Sequence, residues 1–325
     1  MLQFHTMDAS PKVSVVIPAY NVGRFIDDTL KSVFSQTVTD YEVIVVNDGS
    51  PDTEELELVL TSYLEDIVYL KQENLGAGAA RNKGLRAARG EFIAFLDGDD
   101  LWQPNYLAEQ MKFIVDQECD LVCADATLFG ELANTNRTYM ETLMDSAPAR
   151  GRVTFLELVN AERCFVTSGI VLRRELIFKV GLFDESLRTA QDFDLWLRLA
   201  VYGAHLAYHR NVLLRYRCRP DGLTGDAINS HRRELRIFDK IEQSYDLNPH
   251  EREQVLSVIR KRRAVLEFEL GKLYLIPGDF ARARDSFARS NNLRRAWKPQ
   301  LALWLARWAP RLLQTCLRQK QRFSA

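Results

Sequence analysis

The stretch Phe92-Ile93-Ala94-Phe95-Leu96-Asp97-Gly98-Asp99-Asp100 decides how the rest of the chain is read, because an unbroken apolar run ends there in three carboxylates. A short apolar run bounded this way predicts a buried strand, with Asp97, Asp99 and Asp100 at its C-terminal tip. In an open α/β sheet the ligand crevice lies outside the carboxyl ends of the strands, so these acids face a binding site. Three carboxylates this close repel one another unless something positive joins them. Their hard oxygens suit Mg²⁺ or Mn²⁺, which bridge protein carboxylates to substrate phosphates. A solvated acidic turn is the plainer alternative, since Asp and Gly are common turn residues.

Upstream the same unit repeats. Val13 to Ile17 is a β-branched run that stops at Pro18, with Tyr20, Asn21 and Gly23 in the loop at its tip. Arg24 to Gln36 has Phe25, Ile26, Leu30, Val33 and Phe34 at helical spacing. Tyr41 to Val46 predicts a second strand ending in Asn47-Asp48-Gly49-Ser50, and Val68 to Leu70 a third. Ala77 to Arg89 predicts a helix that carries Arg81. Strands alternating with helices imply an α/β domain, a mostly parallel sheet with helices on both faces. Asp48 either caps the helix that follows it or serves as a ligand for a base or ribose. Gly76 and Gly78 either start a helix or bring backbone close to a ligand.

Past the aspartates, Pro104 to Gln117 predicts a helix and Leu121 to Ala124 a strand. Phe129 to Arg150, which includes Asn134, Thr135, Asn136 and Thr138, holds no period and reads as a flexible insertion. Val153 to Ala161 predicts a short helix, Ser168 to Leu172 a strand, and Arg174 to Val180 a helix closed by Gly181. In Ala190-Gln191-Asp192-Phe193-Asp194-Leu195-Trp196, two acids stand at a helix start, where the dipole favours them and either could cap. Only one of the two can do so. Leu213 to Arg217 is a strand leading to the polar loop Arg219 to Asp226.

Length and composition narrow the classes. At 325 residues the chain is too long for most single cores, so one larger and one smaller domain are expected. A net charge of −1 gives no reason to expect a nucleic-acid partner. Five scattered cysteines, odd in number, favour a reducing compartment over a disulfide framework. With no signal-like start and no long apolar run, the expected location is cytoplasmic.

Five motifs follow one another in order: Val15-Val16-Ile17-Pro18-Ala19-Tyr20-Asn21, Val46-Asn47-Asp48-Gly49-Ser50, Asn74-x-Gly76 with Ala80-Arg81-Asn82, Phe95 to Asp100, and Gln191-Asp192-x-Asp194-Leu195-Trp196. With them the chain resembles the family 2 glycosyltransferases of GT-A fold, the nucleotide-sugar-dependent inverting enzymes of bacterial polysaccharide assembly. The resemblance implies a GT-A domain over residues 11–225. It implies that Pro18, Tyr20, Asp48 and Arg81 hold the nucleotide of the donor, with Asp48 addressing the base. Asp97, Asp99 and Asp100 would form the metal and diphosphate motif for Mg²⁺ or Mn²⁺. Asp192 falls where the family keeps its general base, and Gln191 replaces the usual Glu beside it. Tyr216, Arg217 and Thr224 align with a segment that closes over the diphosphate, although its usual His is absent.

Residues 229–325 read as wholly helical. Leu270-Gly271-x-x-Tyr274 with Ala283-x-x-x-Phe287 resembles one tetratricopeptide-type helix pair, and an ordinary helical hairpin is the alternative. Arg294 to Arg322 carries eight basic residues and no acid, and Leu301, Leu303, Trp304, Leu305, Trp308, Leu312 and Leu313 fall among them. That composition suits the inner face of a cell membrane, and packing against other helices, a second copy or a glycan-assembly partner is the alternative. Pro310 should break the helix.

The expected activity is metal-dependent transfer of a sugar from a nucleotide-sugar donor, expected to be a uridine diphosphate sugar, to a saccharide or lipid-linked acceptor. A non-catalytic nucleotide-sugar-binding scaffold is the rival. Paired candidates for a metal ligand and a base, Asp99 and Asp192, argue against it.

Overall fold

Val13–Ala19 (β1) is buried along almost its whole length in the computed structural model, as a β-branched run without polar alternation requires when both sheet faces are covered. The structure describes residues 10–324 apart from 134–135, 145–146, 161–163, 188, 221–226, 246 and 248. Tyr41–Asp48 (β2), Ile67–Gln72 (β3) and Phe92–Phe95 (β4) join β1 in parallel, with Val15 opposite Val43 on one side and Ala94 on the other. Gly23–Phe34 (α1), Thr53–Leu60 (α2) and Ala77–Ala87 (α3) are the connecting helices. α1 buries Ile26, Thr29, Leu30 and Val33, the stripe that a helical period predicts.

The second half of this unit holds Leu101–Trp102 (β5), Tyr106–Gln117 (α4), Leu121–Phe129 (β6), Tyr139–Leu143 (α5), Arg150–Val153 (β7) and Phe155–Val159 (α6). Ile170–Arg173 (β8), Arg174–Val180 (α7), Gln191–Tyr202 (α8) and Leu206–Arg217 (β9) complete it. The sheet order is β3-β2-β1-β4-β8-β6-β9-β5, with β7 on β9. The first four strands are parallel, and beyond β4 the sheet is mixed: β8 runs antiparallel to both β4 and β6, while β9 runs parallel to β6. This reversal positions the site. An antiparallel β8 brings its own start, residues 167–169, to the C-terminal tip of β4, and the end of β9 arrives at the same edge.

Three elements are absent from the sequence reading. β5 and β7 are short strands that pair only with β9, and β9 itself begins seven residues before the Leu213 start expected. Within the expected flexible stretch, β6 extends to Phe129 and α5 follows. Both α5 and α6 begin with a capping box: Thr138 with Glu141, and Thr154 with Glu157, each side chain satisfying the other's backbone amide. The Asp125 carboxylate also accepts from the Thr138 hydroxyl at 2.6 Å and the Met140 amide at 2.9 Å. Asn134 and Thr135 lie outside the described residues.

The chain divides into two compact units, Met1–Gly222 and Leu223–Ala325. The second contains Ala227–Ser244 (α9), Pro249–Leu275 (α10), Phe280–Leu293 (α11), Trp297–Trp308 (α12) and Pro310–Ser324 (α13). Leu270, Tyr274, Ala283 and Phe287 share one core with Ala302 and Ala306. Gly271 is required at the crossing of α10 and α11, since a Cβ there would stand 2.5 Å from the Phe287 ring. The break expected at Pro310 is present: α12 stops at Trp308, and Pro310 opens α13, a position where its missing N–H costs nothing.

Inside the first unit, buried His209 faces the Gln110 side-chain oxygen through Nε2 at 2.8 Å and accepts the Asn211 amide at Nδ1. That pattern needs a neutral ring, and burial pulls the imidazole down to about 4. A depressed folded value contributes stability in full above the ordinary His value, and that contribution is lost as pH falls toward 4. Going from pH 7 to pH 5 should therefore cost about 2 kcal/mol through this residue. Urea melts at the two pH values should show a smaller difference for His209→Gln than for the wild type.

Candidate active site

Asp97, Asp99 and Asp100 leave β4 in a turn and meet three different partners. Asp97 pairs with Arg81, Oδ1 to Nη2 at 2.5 Å. Arg81 is buried in α3, with its guanidinium 5.7 Å from the Phe183 ring centre. The fully buried Asp100 accepts the Ser168 hydroxyl at 2.6 Å and the Arg217 amide at 2.8 Å, while its carbonyl accepts the Thr29 hydroxyl. Burial, then the charges of Asp99 and Asp97, push its carboxyl well above the usual range.

Asp99 differs from both neighbours. Its side chain keeps some exposure, and its Oδ2 lies 3.2 Å from Nε of Arg219. Burial first, and the Asp97 charge second, raise it to about 6 against the pull of Arg219 and Arg217. Arg217 donates from Nε to the Asp99 carbonyl at 2.8 Å, and its guanidinium lies between the rings of Phe25 and Phe129, 4.3 Å from each centre. Arg219 also donates to the Asn21 carbonyl at 2.9 Å, which ties the end of β9 to the loop after β1.

Two adjacent hydroxyls link this cluster to the start of α8. Ser168 Oγ accepts the Asp97 amide at 3.1 Å while donating to Asp100, and Thr167 donates to Oδ2 of Asp192 at 3.0 Å. The other Asp192 oxygen accepts the Phe193 amide, so the carboxylate is held in orientation at both atoms. Neither acid caps α8, whose N-cap is Ala190 at φ 60° with no side-chain bond. Asp194 is fully buried and paired with Arg198, which donates to the carbonyls of Val180 and Leu182. It is a structural acid. Gln191 is buried with its side chain against Gly78 of α3, and its Oε1 has no hydrogen-bond partner among the described residues.

Asp48 does not cap α2. Its carboxylate accepts Gln72 Nε2 at 2.8 Å and the amides of Leu75 and Gly76 at 2.9 and 2.8 Å. It therefore shapes the loop into α3, where Gly76 takes φ 96°, a conformation costly for any residue with a Cβ. Asn82, the residue after Arg81, fastens Phe183 and Glu185 to the same helix. Pro18 sits near the end of β1, and Tyr20 is exposed in the loop beyond it.

The predicted residues thus divide. Arg81, Asp97, Asp99, Asp100, Arg217 and, through Thr167 and Ser168, Asp192 form one bonded network. Pro18, Tyr20 and Asp48 stand at neighbouring strand tips, with no bond to it among the described residues. Thr224 lies outside the described residues. The sequence reading missed Thr167, Ser168 and Arg219. A signal for Arg219 was present in Arg215, Arg217 and Arg219, whose spacing of two puts them on one face of an extended chain. The hydroxyl pair carried none, since its partners lie far away in the chain.

A sheet that is parallel over its first four strands and reversed at β8 is a GT-A type fold, and solved structures agree. S. aureus TarS (residues 1–349) with UDP-GlcNAc superposes with a TM-score of 0.65 at 18% identity, covering 96% of this chain and 92% of that one. The mannosyltransferase PcManGT of Pyrobaculum calidifontis, with GDP-Man and Mn²⁺, gives 0.61 at 19%, covering 96% and 85%. At such identities the likeness shows the fold. The sequence profile of Glycosyl transferase family 2 matches residues 14–179, and the chain belongs to that family. A putative teichuronic acid biosynthesis glycosyltransferase, TuaG of Bacillus subtilis, is 29% identical over 72% of this chain and 89% of its own length. An uncharacterised glycosyltransferase of Rickettsia conorii is 29% identical over 72% of this chain, and the match spans 38% of that relative.

The network predicts opposite effects for two adjacent acids. Asp100→Ala leaves the Ser168 hydroxyl and the Arg217 amide unpaired in a buried place and should cost about 1–3 kcal/mol. Asp99→Ala removes a desolvated, mutually repelled charge, and stability should stay unchanged or rise. Chemical denaturation of the two variants beside the wild type checks both.

Proposed function

We propose that the chain is an inverting glycosyltransferase that moves a sugar from a nucleotide diphosphate donor, a uridine diphosphate sugar, to a saccharide or lipid-linked acceptor in polysaccharide assembly. The observation that carries the reading is the pair Thr167 and Ser168, because consecutive hydroxyls orient Asp192 and fix the aspartate cluster from a single turn. A base and a diphosphate-facing group held by one rigid element are what an in-line displacement needs. The donors bound to TarS and PcManGT support a nucleotide sugar, and the teichuronic acid role given to TuaG supports a cell-surface glycan.

Asp192 takes the proton of the acceptor hydroxyl as that oxygen bonds to the anomeric carbon. The bond from that carbon to the diphosphate breaks, and the nucleotide diphosphate leaves with its electron pair. A single displacement inverts the configuration, and no covalent sugar intermediate forms. Pro18, Tyr20 and Asp48 line the nucleotide end, while Arg81 and Arg217 serve the phosphates, Arg81 by way of Asp97.

Mg²⁺ or Mn²⁺ fits Asp99. No three His, Cys, Asp or Glu side chains gather as a metal cage among the described residues. Asp99, whose largely buried carboxylate keeps some exposure, would hold such an ion. Asp97 and Asp100 shape the turn around it. When bound, the ion supplies positive charge to the leaving diphosphate.

A thermal-shift panel of uridine and guanosine sugars with and without Mn²⁺ tests the reading, since a ligand of the native state raises its melting temperature. One uridine sugar should stabilise the protein in the presence of Mn²⁺, and Asp99→Ala should abolish the dependence on the ion. Asp192→Asn should keep that stabilisation while transfer falls by about 10²- to 10⁴-fold. Absence of any shift removes the nucleotide-sugar donor, stabilisation without transfer moves the reading to the scaffold, and near-normal turnover in Asp192→Asn removes the base assignment.

A further inference from the structure

Trp297, Leu301, Trp304 and Trp308 recur at intervals of four, three and four residues along α12, which places them on one face of the helix. Their exposures are 69, 48, 58 and 75%. The opposite face carries Ala302 and Ala306, which lie in the core of the helical unit. The orientation is therefore settled by packing: the small residues go in and the tryptophans stay out. Leu312, early in α13, adds an exposed apolar side chain. Lys298 and Arg307 flank the stripe on either side, about a quarter turn away each. A groove of about 690 Å³ between α10, α12 and α13 is lined by Trp297, Lys298, Leu301, Phe268, Ile276 and Leu313.

A row of exposed indoles on one helix face marks a contact surface, because covering large aromatic side chains removes apolar area from water. Charge selects among the occupants. The segment 294–322 has eight basic residues and no acid, so a second copy docking through the same face would set like charges against each other. An anionic phospholipid surface answers both features: indoles with an apolar body and a polar N–H settle at headgroup depth, and the flanking cations meet lipid phosphates. No described helix is long and apolar enough to cross a membrane, so the contact lies in the interface plane.

We propose that the Trp297, Leu301, Trp304 and Trp308 face of α12, with the basic residues beside it, docks the protein on an anionic membrane surface. The inference stands on the helical unit alone and is independent of the sugar-transfer reading. Its test reads no turnover.

The full chain is sedimented with vesicles of phosphatidylcholine containing phosphatidylglycerol, and with phosphatidylcholine alone. Binding should require the anionic lipid and weaken as salt rises, and tryptophan emission should shift to the blue. Brominated lipid should quench that emission in the wild-type protein. The double variant Trp304→Ala/Trp308→Ala, at exposed positions, should melt like the wild type and lose vesicle partitioning by about tenfold or more. Equal partitioning by variant and wild type, no preference for anionic lipid, or no quenching would each overturn the proposal. So would a concentration-dependent dimer that the same substitutions abolish, since a second copy would then cover the face.

Discussion

Three carboxylates at the tip of one buried strand are the constraint on which the first unit depends. Unit charges a few ångströms apart in a partly desolvated site repel by several kcal/mol, so Asp97, Asp99 and Asp100 need separate answers. Each answer comes from a different element: Arg81 from α3 for Asp97, Arg219 from beyond β9 for Asp99, and a hydroxyl with a backbone amide for Asp100. The reversal of the sheet after β4 makes these answers reachable. Only because β8 runs antiparallel does Ser168 stand beside the aspartates, and only because β9 follows β6 does Arg217 reach the same edge.

The three acids end in different physical states. Asp100 is buried with both oxygens satisfied by neutral donors, and it acts as a rivet between β4, β8 and β9. Asp97 is committed to a buried arginine. Asp99 is paired with Arg219 and feels the Arg217 charge, yet burial and the Asp97 charge still raise its affinity for protons. Thr167 and Ser168 carry this order outward to Asp192, so that the two ends of the proposed displacement share one turn.

Much of the first unit was legible in the sequence, for identifiable reasons. Strands β1, β2 and β4 are buried on both faces, so their apolar runs are continuous, and α1 shows its buried stripe at helical spacing. The Asp97 to Asp100 turn and Asp192 stood out because acids at the ends of apolar runs are conspicuous. The misses have physical causes as well. β5 and β7 are too short to show a period and exist only because β9 offers them an edge. The start of α5 carries a Thr-x-x-Glu box that was readable but sat in a stretch taken as a flexible insertion. Asp48 and Asp194 could not be separated from caps or ligands by local rules, since their partners, the Leu75 and Gly76 amides and Arg198 with its two carbonyls, are set by tertiary folding. Arg219 had a local signal in its spacing of two from Arg217, but its pairing with Asp99 spans about half the unit and is set by tertiary folding.

The most direct measurement is a crystal structure with UDP and Mn²⁺, recorded with the anomalous signal of manganese. The account predicts a peak about 2 Å from a carboxylate oxygen of Asp99, bridged to the diphosphate, with Arg219 displaced from that carboxylate. A bound nucleotide with Arg219 still on Asp99 and no manganese at the turn would contradict it.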